Sequence, residues 1–286
     1  MDNSVKQNKP VFLIILDGWG VSPFREGNAI NQAKTPYFDQ LIFSYPTTLL
    51  HASGTEVGLD IGEMGNSEVG HLNLGTGRII MQDLPRITNS IESSVFFDNE
   101  NILAACEHTK KNNSTLHLLG LASSGGVHSH VDHLLALLKL AQKQKTKKIS
   151  IHMITDGRDT PPKMAQVYLK QIEEKIAETK VNAQIATICG RYFGMDRDKH
   201  WERVQKYYEL IINGKGEKFS SGKEAIESAY KKGESDENMS PTLIGDKPLL
   251  ISKNDAVIFY NFRSDRAKQL TQSIPNPSFN FFPRSN

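Results

Sequence analysis

The sequence has few of the features that mark secreted, membrane-bound or nucleic-acid-binding proteins. Its net charge is +2, from 34 basic and 32 acidic residues among 286, so it offers no electrostatic basis for attraction to nucleic acid or to a membrane surface. The apolar run 11–16 is too short for a signal or membrane-spanning segment. The only two cysteines, Cys106 and Cys189, are far apart in apolar surroundings, which is typical of buried thiols in a reducing compartment. We therefore expect a cytoplasmic protein.

Alternation of apolar, β-branched runs with helical patterns predicts an α/β fold with a largely parallel sheet. The predicted strands are residues 11–16, 115–121, 149–154, 183–189 and 256–262. The predicted helices are residues 131–144, 162–179, 200–212 and 223–232. A chain of this length can form two modest domains, and the glycine-containing segment 74–83 indicates a hinge between them.

Ionisable residues follow four of the five predicted strands. The clusters are residues 123–133, 155–162, 190–198 and 263–266. Because ligands bind at the carboxyl ends of the strands in an open parallel sheet, the four clusters are expected to line one crevice. They contain five arginines, which are Arg158, Arg191, Arg197, Arg263 and Arg266. Each cluster taken alone is equally compatible with a solvated loop.

The arginines indicate an anionic ligand, because a guanidinium binds carboxylate or phosphate through two parallel hydrogen bonds and stays charged. Arg263 and Arg266, three positions apart at a predicted helix start, would share one face and could hold one phosphate between them. The alternative is that the arginines only pair with nearby carboxylates such as Asp265. Asp159, held ionised beside Arg158, could take a proton from a hydroxyl and return it, or could be only the ion-pair partner of Arg158.

Three histidines and an aspartate follow the second predicted strand, at positions 128, 130, 132 and 133. One metal site built from all four is not expected, because alternate spacing followed by a helix sends the side chains in different directions. His128, directly after a pair of glycines and a valine, is expected to donate a hydrogen bond to the substrate.

Ser67 lies in the run Gly62–His71, which contains three glycines. Glycine lets the backbone approach a ligand closely, and a helix starting near Glu68 would direct its N-terminal amides at the serine or at a phosphate on it. A serine needs a base or a metal ion to act as a nucleophile. Asp17, where the apolar run 11–16 ends, is the nearest source of metal affinity. The alternative for Ser67 alone is a helix N-cap.

Two segments resemble the cofactor-independent phosphoglycerate mutases, a branch of the alkaline phosphatase superfamily. They are Leu16-Asp17-Gly18-Trp19-Gly20 and Gly62-Glu63-Met64-Gly65-Asn66-Ser67-Glu68-Val69-Gly70-His71-Leu72-Asn73. The resemblance extends from about Pro10 to about Leu270. It implies an enzyme of glycolysis and gluconeogenesis, an isomerase that interconverts 3-phosphoglycerate and 2-phosphoglycerate through a phosphoserine intermediate and without 2,3-bisphosphoglycerate.

The resemblance also implies roles for particular residues. Ser67 and Asp159 would be catalytic, and Ser67 with Asp17 would ligate one of two divalent ions, usually Mn²⁺, with Mg²⁺ or Co²⁺ as alternatives. The substrate, 2- or 3-phosphoglycerate, would be bound by His128, Arg158, Asp159, Arg191, Arg197, Arg263 and Arg266.

In this family a substrate-binding domain is inserted into a metal-binding phosphatase-like domain. Residues 1–81 are therefore expected to form the N-terminal, incomplete part of an alkaline-phosphatase-like domain, and residues 82–286 the inserted α/β substrate-binding, or phosphotransferase, domain. The remaining metal ligands and a catalytic lysine would come from a returning half that we expect this chain to lack. The family resemblance further implies a monomer.

Two other functions are compatible with the same residues. The chain could be a truncated, catalytically inactive substrate-binding fragment, because Asp17 and Ser67 alone cannot build two metal sites. It could also be a related metal-dependent phosphohydrolase or phosphopentomutase, which would share Asp17 and Ser67 but would not need so many arginines to read a carboxylate.

Overall fold

The computed structural model describes residues 9–284, which separate into two compact units with the boundary between Met81 and Gln82. The first unit contains only helices as regular structure. These are α1 (Ala29–Gln32), α2 (Pro36–Ser44) and α3 (Ser67–Thr76), with a 3₁₀ turn at Gly54–Val57. Its buried core is small and consists of Val57, Leu59 and Val69.

The strand predicted at residues 11–16 is wrong for this chain, because the structure has no strand anywhere in residues 9–81. The side chains of this run are exposed, Val11 by 94% and Phe12 by 83%. A strand exists only where a neighbouring strand pairs with its backbone N–H and C=O groups. The apolar, β-branched pattern of residues 11–16 indicates that they favour a strand. The described part of this unit has no other strand with which they could pair.

The second unit is built on one six-stranded sheet. Its strands are β1 (Leu116–Ala122), β2 (Ile149–Thr155), β3 (Ala183–Gly190), β4 (Glu217–Phe219), β5 (Thr242–Ile244) and β6 (Ala256–Phe259). The order across the sheet is β4-β5-β3-β2-β1-β6. Strands β6, β1, β2 and β3 run parallel to one another, β5 is antiparallel to β3, and β4 is parallel to β5. The prediction of an α/β fold with a largely parallel sheet is confirmed.

Helices cover both faces of this sheet. They are α4 (Asp83–Glu92), α5 (Glu100–Asn112), α6 (Val131–Lys143), α7 (Ala165–Thr179), α8 (Arg191–Gly194), α9 (Trp201–Asn213), α10 (Gly222–Lys231) and α11 (Lys268–Ser273), with a 3₁₀ turn at Val95–Asp98. One face packs against α5, α6, α7 and α10, and the other against α9 and the aromatic segment 279–282. Strands β1 and β2 are buried at every position, as expected of parallel strands covered on both sides.

The strand pairing determines where the functional clusters lie. The last residues of the three central strands are in register, since Ala122 pairs with Thr155 and Thr155 pairs with Gly190. The loops that follow β1, β2 and β3 therefore leave the sheet side by side at one edge. Both cysteines are buried and unpaired, as expected. None of the helices among residues 9–284 is both long enough and apolar enough to cross a bilayer.

One sequence expectation needs correction in this unit, and two short strands have no counterpart among the predicted ones. The helix expected to start near Arg263 begins instead at Lys268, so Arg263 and Arg266 lie in the connecting turn after β6 and do not share a helical face. Strands β4 and β5 were not predicted, because each has only three residues and so shows no period-2 pattern.

Candidate functional site

Ser67 and Asp17 meet in the first unit although 50 residues separate them. The Ser67 hydroxyl donates a hydrogen bond of 2.7 Å to Asp17 Oδ2, and its Oγ lies 3.2 Å from Nδ1 of His71. Ser67 is the first residue of α3, and the N-cap is Asn66, whose side chain accepts from the amide of Val69 at 3.0 Å. The N-cap interpretation of Ser67 is therefore wrong. Because Asn66 caps the helix, the Ser67 hydroxyl is available for Asp17.

The Asp17 carboxylate and the Ser67 hydroxyl are hard oxygen donors, which fits a divalent cation such as Mn²⁺ or Mg²⁺. They fit part of such a site, because two donors leave most of a coordination sphere unfilled. In the described range 9–284, one group of three potential ligands has its donor atoms within 4.8 Å of one another, and it lies elsewhere, at Asp196, Asp198 and His200.

That group is engaged in shaping its own loop. Asp196 Oδ1 accepts from the amides of Asp198 and His200, both at 3.0 Å. Asp196 Oδ2 lies 3.0 Å from Nδ1 of His200 and 3.5 Å from the Arg203 guanidinium. A guanidinium this close supplies positive charge in place of a cation, so the group is explained by loop structure.

In the second unit, Asp156 joins the loops that follow the three central strands. It comes directly after β2, is 1% exposed, and accepts hydrogen bonds from Ser123 Oγ at 2.5 Å and from Arg191 Nη1 at 2.6 Å. Its Oδ1 also accepts from the amides of Arg158 and Asp159, at 3.2 and 3.0 Å. Burial alone would raise the pKa of Asp156, but these hydrogen bonds and the charge of Arg191 lower it below its usual value.

Arg191 connects this buried carboxylate with Asp159. The same nitrogen, Nη1, donates to Asp159 Oδ2 at 2.5 Å, while Asp159 keeps 18% of its side chain exposed. Burial would lower the pKa of Arg191, but its hydrogen bonds to Asp159 and Asp156 raise it on balance, so the guanidinium stays charged. The alternative that Asp159 pairs only with Arg158 is wrong, because the Arg158 guanidinium lies 3.6 Å from Glu237 instead.

His128 lies between Asp159 and Asp265. Its Nε2 is 4.0 Å from Asp159 Oδ2 and its Nδ1 is 3.6 Å from Asp265 Oδ1, distances too long for hydrogen bonds. Burial, followed by the positive charge of Arg191, lowers the pKa of His128 to about 4, so the ring is neutral at pH 7. A neutral imidazole has one N–H donor and one acceptor, which is compatible with donation to a substrate oxygen.

Asp265 organises the arginines that follow β3 and β6. It accepts from Arg197 Nη1 at 2.8 Å and lies 3.2 Å from Nε of Arg263. Burial would raise the pKa of Asp265, but the hydrogen bond from Arg197 and the charge of Arg263 lower it. Of the two carboxylates that hold the arginines, Asp265 was expected as a possible partner, whereas Asp156 was not recognised from the sequence although it lies within a predicted cluster.

A small cleft of about 70 Å³ has four arginines in its lining, Arg158, Arg191, Arg203 and Arg266, and three carboxylates, Asp196, Asp198 and Glu237. Burial and the positive charges of Arg197, Arg191 and Arg158 lower the pKa of Arg266. The lining has one guanidinium group more than it has carboxylates, so the cleft suits an anion. His130 and His133 do not reach it: His130 caps α6 through the amide of Asp132, and His133 lies 3.3 Å from the hydroxyl of Thr88.

A larger cavity of about 550 Å³ lies on the β6 side of the second unit, between α4, α6 and β6. Its lining is mainly apolar, and none of the predicted site residues is part of it. Size alone therefore does not locate the candidate site, which is marked by its charges.

Replacing Gly190 by alanine is expected to destabilise the second unit by about 1–3 kcal/mol. A Cβ atom at this position, directly before Arg191, would lie 2.4 Å from the carbonyl oxygen of Glu237 and 2.6 Å from the amide nitrogen of Met239, both backbone atoms. Urea unfolding followed by Trp201 fluorescence measures the change, in a Trp19→Phe background that removes the other tryptophan. Lys170→Ala, on the exposed side of α7, is the control and should leave the midpoint within a few tenths of a molar; an unchanged midpoint for Gly190→Ala would contradict the expectation.

Comparison with known proteins agrees with this geometry. The family model described as the BPG-independent PGAM N-terminus matches residues 87–286. The 2,3-bisphosphoglycerate-independent phosphoglycerate mutase of Clostridium perfringens (strain ATCC 13124) is 50% identical over 279 residues, which are 96% of this chain and 54% of that protein. The 2,3-bisphosphoglycerate-independent phosphoglycerate mutase 1 of Methanosarcina barkeri is 52% identical over 291 aligned residues, covering 99% of this chain and 56% of that protein.

A solved structure is similar as well. A crystal structure of Leishmania mexicana phosphoglycerate mutase at low cobalt concentration superposes with a TM-score of 0.74 and 34% sequence identity, covering 94% of this chain and 51% of that one. The chain thus spans about half the length of the relatives it matches. Because the family model covers well over half of this sequence, the chain belongs to the BPG-independent phosphoglycerate mutases.

Proposed function

We propose that this chain supplies the nucleophile and the substrate-binding residues for the interconversion of 3-phosphoglycerate and 2-phosphoglycerate. The observation that carries the proposal is the concentration of guanidinium groups around one cleft, which Arg158, Arg191 and Arg266 help to line. Burial, followed by the charges of three other arginines, lowers the pKa of Arg266 there. A small substrate with a carboxylate and a phosphate matches so much positive charge. The names of the relatives support the same reaction.

In the proposed reaction Ser67 is the nucleophile. The bond between phosphorus and one substrate hydroxyl oxygen breaks while a bond between phosphorus and Ser67 Oγ forms. The reverse transfer then places the phosphoryl group on the other hydroxyl oxygen. The two transfers leave the serine unchanged and need no 2,3-bisphosphoglycerate.

The other residues bind the glycerate and move its proton. Arg158, Arg191, Arg197, Arg263 and Arg266, with His128, hold the glycerate between the two transfers and limit the access of competing water. Asp159 takes the proton from the hydroxyl that becomes the new phosphoryl acceptor and returns a proton to the oxygen that has lost the group.

Asp17 and Ser67 would hold one divalent cation, which we propose to be Mn²⁺, with Mg²⁺ and Co²⁺ as alternatives. Such an ion supplies a lowered pKa for the serine hydroxyl and neutralises charge on the transferring group. We further propose that residues 1–81 are part of an alkaline-phosphatase-like domain and residues 82–286 the substrate-binding domain. A monomeric protein acting in the cytoplasm, in glycolysis and gluconeogenesis, is part of the same proposal.

The test is a coupled enolase assay on two proteins in the presence of Mn²⁺. One is the chain of 286 residues, and the other is this chain joined to the remaining half of the Clostridium perfringens relative. Turnover of 3-phosphoglycerate by the joined protein is expected, and its absence, in a protein shown to be folded, would contradict the proposal. Activity on an aryl phosphate at a comparable rate would favour a phosphohydrolase instead.

A second candidate function is binding of phosphoglycerate without catalysis. Within residues 9–284 the proposed cation site has only Asp17 and Ser67 as ligands, which favours this function for the chain by itself. In that case the chain of 286 residues binds 3-phosphoglycerate in calorimetry but shows no turnover, while the joined protein shows both.

Arg158→Ala is expected to weaken binding of 3-phosphoglycerate by about tenfold to a hundredfold, since a charge-assisted hydrogen bond contributes about 1.5–3 kcal/mol. Arg158 is suited to this test because its side chain is 55% exposed and its removal leaves no buried charge unpaired. Isothermal titration calorimetry measures the Kd. Arg86→Ala, at an arginine 61% exposed and outside the cleft, is the matched control. Equal affinities for the two variants would argue against the assigned cleft.

A further inference from the structure

Asp156 is enclosed by the groups that donate to it. Four groups do so: the Ser123 hydroxyl, the Arg191 guanidinium and the amides of Arg158 and Asp159. Three of these hydrogen bonds go to Oδ1, and the one from Ser123 goes to Oδ2. Its side chain is fully buried. Any contribution of Asp156 to the reaction must therefore pass through the residues it holds.

Arg191 divides one nitrogen between two different carboxylates. Nη1 donates to Asp156 Oδ1 at 2.6 Å and to Asp159 Oδ2 at 2.5 Å. Asp156 is fully buried at the end of β2 and fixed by its other donors, whereas Asp159 is 18% exposed at the rim of the site. The contact between Arg191 and Asp156 is therefore held in place by the surrounding hydrogen bonds. The contact between Arg191 and Asp159 is the one that an incoming anion can replace.

The contact with Arg191 engages the oxygen of Asp159 that lies nearest to His128. Asp159 Oδ2 accepts the Arg191 hydrogen bond and is 4.0 Å from His128 Nε2. Part of the acceptor capacity of Oδ2 is therefore used by Arg191. Release of Asp159 by Arg191 would leave the whole of this oxygen open to a substrate hydroxyl.

We propose that Asp156 is a positioning residue: it retains Arg191 as a fixed counterion, so that an anionic oxygen of the substrate can replace Asp159 on Arg191 and free Asp159 Oδ2 to accept a proton. This inference rests on the proposed function of the site. In the freed state the O–H bond of the substrate hydroxyl breaks, its proton passes to Asp159 Oδ2, and the electron pair stays on the substrate oxygen that attacks phosphorus. The proton returns to the oxygen that loses the phosphoryl group.

Electrostatics explains why the fixed counterion is needed. Arg191 is 4% exposed, and a buried cation with a single counterion is held tightly, because separating the pair leaves both charges uncompensated. With Asp156 in place, Arg191 stays paired when Asp159 leaves. Without Asp156, Asp159 would be the only carboxylate that contacts Arg191, and the substrate would have to compete with it directly.

A double-mutant cycle tests the exchange. Binding of 3-phosphoglycerate and of inorganic phosphate to the chain of 286 residues is measured by calorimetry for the wild type, Asp156→Asn, Asp159→Asn and the double variant. Asp156→Asn is expected to weaken binding at least tenfold, because Arg191 is then held by Asp159. Adding Asp159→Asn should recover at least threefold more affinity in the Asp156→Asn background than the same change gives in the wild type.

If Asp156 had a purely structural role, the effects of the two substitutions on the Kd would be expected to multiply. Multiplicative effects for both ligands would overturn the inference. Coupling seen with inorganic phosphate while 3-phosphoglycerate does not bind would support the exchange and refute the proposed substrate. Binding of 3-phosphoglycerate without coupling would support the proposed substrate and refute the exchange.

Ser123→Ala provides a second route to the same measurement, for the case that Asp156→Asn does not fold by circular dichroism. It removes one hydrogen bond to Asp156 and keeps the carboxylate charge. The expected loss of affinity is smaller, about twofold to fivefold. Asp159→Asn should again compensate more in this background than in the wild type, and equal compensation in the two backgrounds would count against the exchange. Thr160→Ala, in the loop that follows β2, is the control for an ordinary loss of a hydroxyl.

Discussion

Ser67→Ala is expected to abolish phosphoryl exchange, with a loss of more than about 10⁴-fold in turnover in the protein joined to the C-terminal half of the relative. The hydroxyl is the only group at this position that can form the phosphoserine, and the residue next to it, Asn66, carries the cap of α3. The substitution therefore removes the nucleophile and leaves the helix intact. The measurement is turnover in the coupled assay together with mass spectrometry of protein quenched during turnover, which should show one added phosphoryl group on the wild type only.

The control for this experiment is Thr76→Ala, which removes a hydroxyl from the last turn of the same helix. That hydroxyl bonds only to backbone carbonyls, of which the nearest is Leu72 at 2.8 Å. Turnover should stay within about twofold of the wild type. Measurable exchange by Ser67→Ala, or product formation by the wild type with no phosphoryl group detected on Ser67, would refute the covalent route.

The positions of the four charged clusters could be predicted because each cluster directly follows a predicted strand. Buried apolar runs identify parallel strands, and in a parallel sheet the carboxyl ends lie along one edge. Asp159 and Arg191 belong to different clusters 32 residues apart, yet they form a hydrogen bond because β2 and β3 are neighbours in register. The contact of Ser67 with Asp17 in the first unit was also expected, from the chemistry of a serine nucleophile.

Partner choice within the clusters could not be predicted. The sequence places Arg158 next to Asp159, but the two side chains of adjacent loop residues diverge, and Arg158 points to Glu237. The true partner of Asp159 is Arg191, and the residue that fixes both is Asp156, which looked like any other loop carboxylate. Only the burial of Asp156 distinguishes it, and burial of a single polar residue leaves no periodic signal.

Burial also changes what substitutions at Arg191 mean. If Arg191 is regarded only as one of the five substrate-binding arginines, Arg191→Ala should mainly weaken substrate binding. In the structure Arg191 is the buried counterion of Asp156, so its loss also leaves a fully buried carboxylate short of a partner. A fall in stability is therefore expected alongside the fall in affinity, which is why the more exposed Arg158 is the better probe of binding.

A chain of buried polar side chains crosses the sheet of the second unit and determines its behaviour at low pH. His117 on β1 lies 3.1 Å from Asp255 through Nε2 and 2.9 Å from Nε2 of His152 through Nδ1. His152 on β2 lies 3.0 Å from the hydroxyl of Thr187 on β3 through its own Nδ1. Both histidines are fully buried, and neither was recognised from the sequence, where each is one polar residue in an apolar run.

Only one arrangement of protons satisfies this chain. Burial would raise the pKa of Asp255, but hydrogen bonds from backbone amides, Ser252 and His117 lower it, so the carboxylate is ionised and only accepts. His117 must then donate from Nε2 and accept at Nδ1, His152 must donate from Nε2 and accept at Nδ1, and Thr187 must donate. A proton added to His117 would go to Nδ1 and place two N–H donors face to face at 2.9 Å. A proton added to His152 would go to its Nδ1 and face the Thr187 hydroxyl at 3.0 Å, which would have to change from donor to acceptor.

The pKa values of these histidines follow from that geometry. Burial lowers the pKa of His117 although Asp255 opposes the shift, and burial followed by the charge of His117 lowers the pKa of His152 far below its usual value. Burial also lowers the pKa of His128 and of His133 to about 4. The unfolded chain takes up these protons near pH 6.5, whereas the folded chain does not until the pH is much lower.

The free energy of unfolding of the second unit is therefore expected to be constant above about pH 7 and to fall as the pH drops below about 6.5. Each of the four histidines contributes up to about 1.4 kcal/mol per pH unit, so the total loss between pH 7.5 and pH 5.5 is about 3–5 kcal/mol. Urea unfolding measures the loss when it is followed by Trp201 fluorescence in a Trp19→Phe background, since Trp201 lies in this unit and stacks on Phe281. His152→Gln should destabilise the protein at pH 7.5 but shrink the difference between the two pH values by about 1 kcal/mol, because one titrating group is gone. His108→Gln, at an exposed position, is the control and should leave the difference in stability between pH 7.5 and pH 5.5 unchanged. If the wild type were equally stable at both pH values, the buried histidines would not exclude protons as this geometry requires.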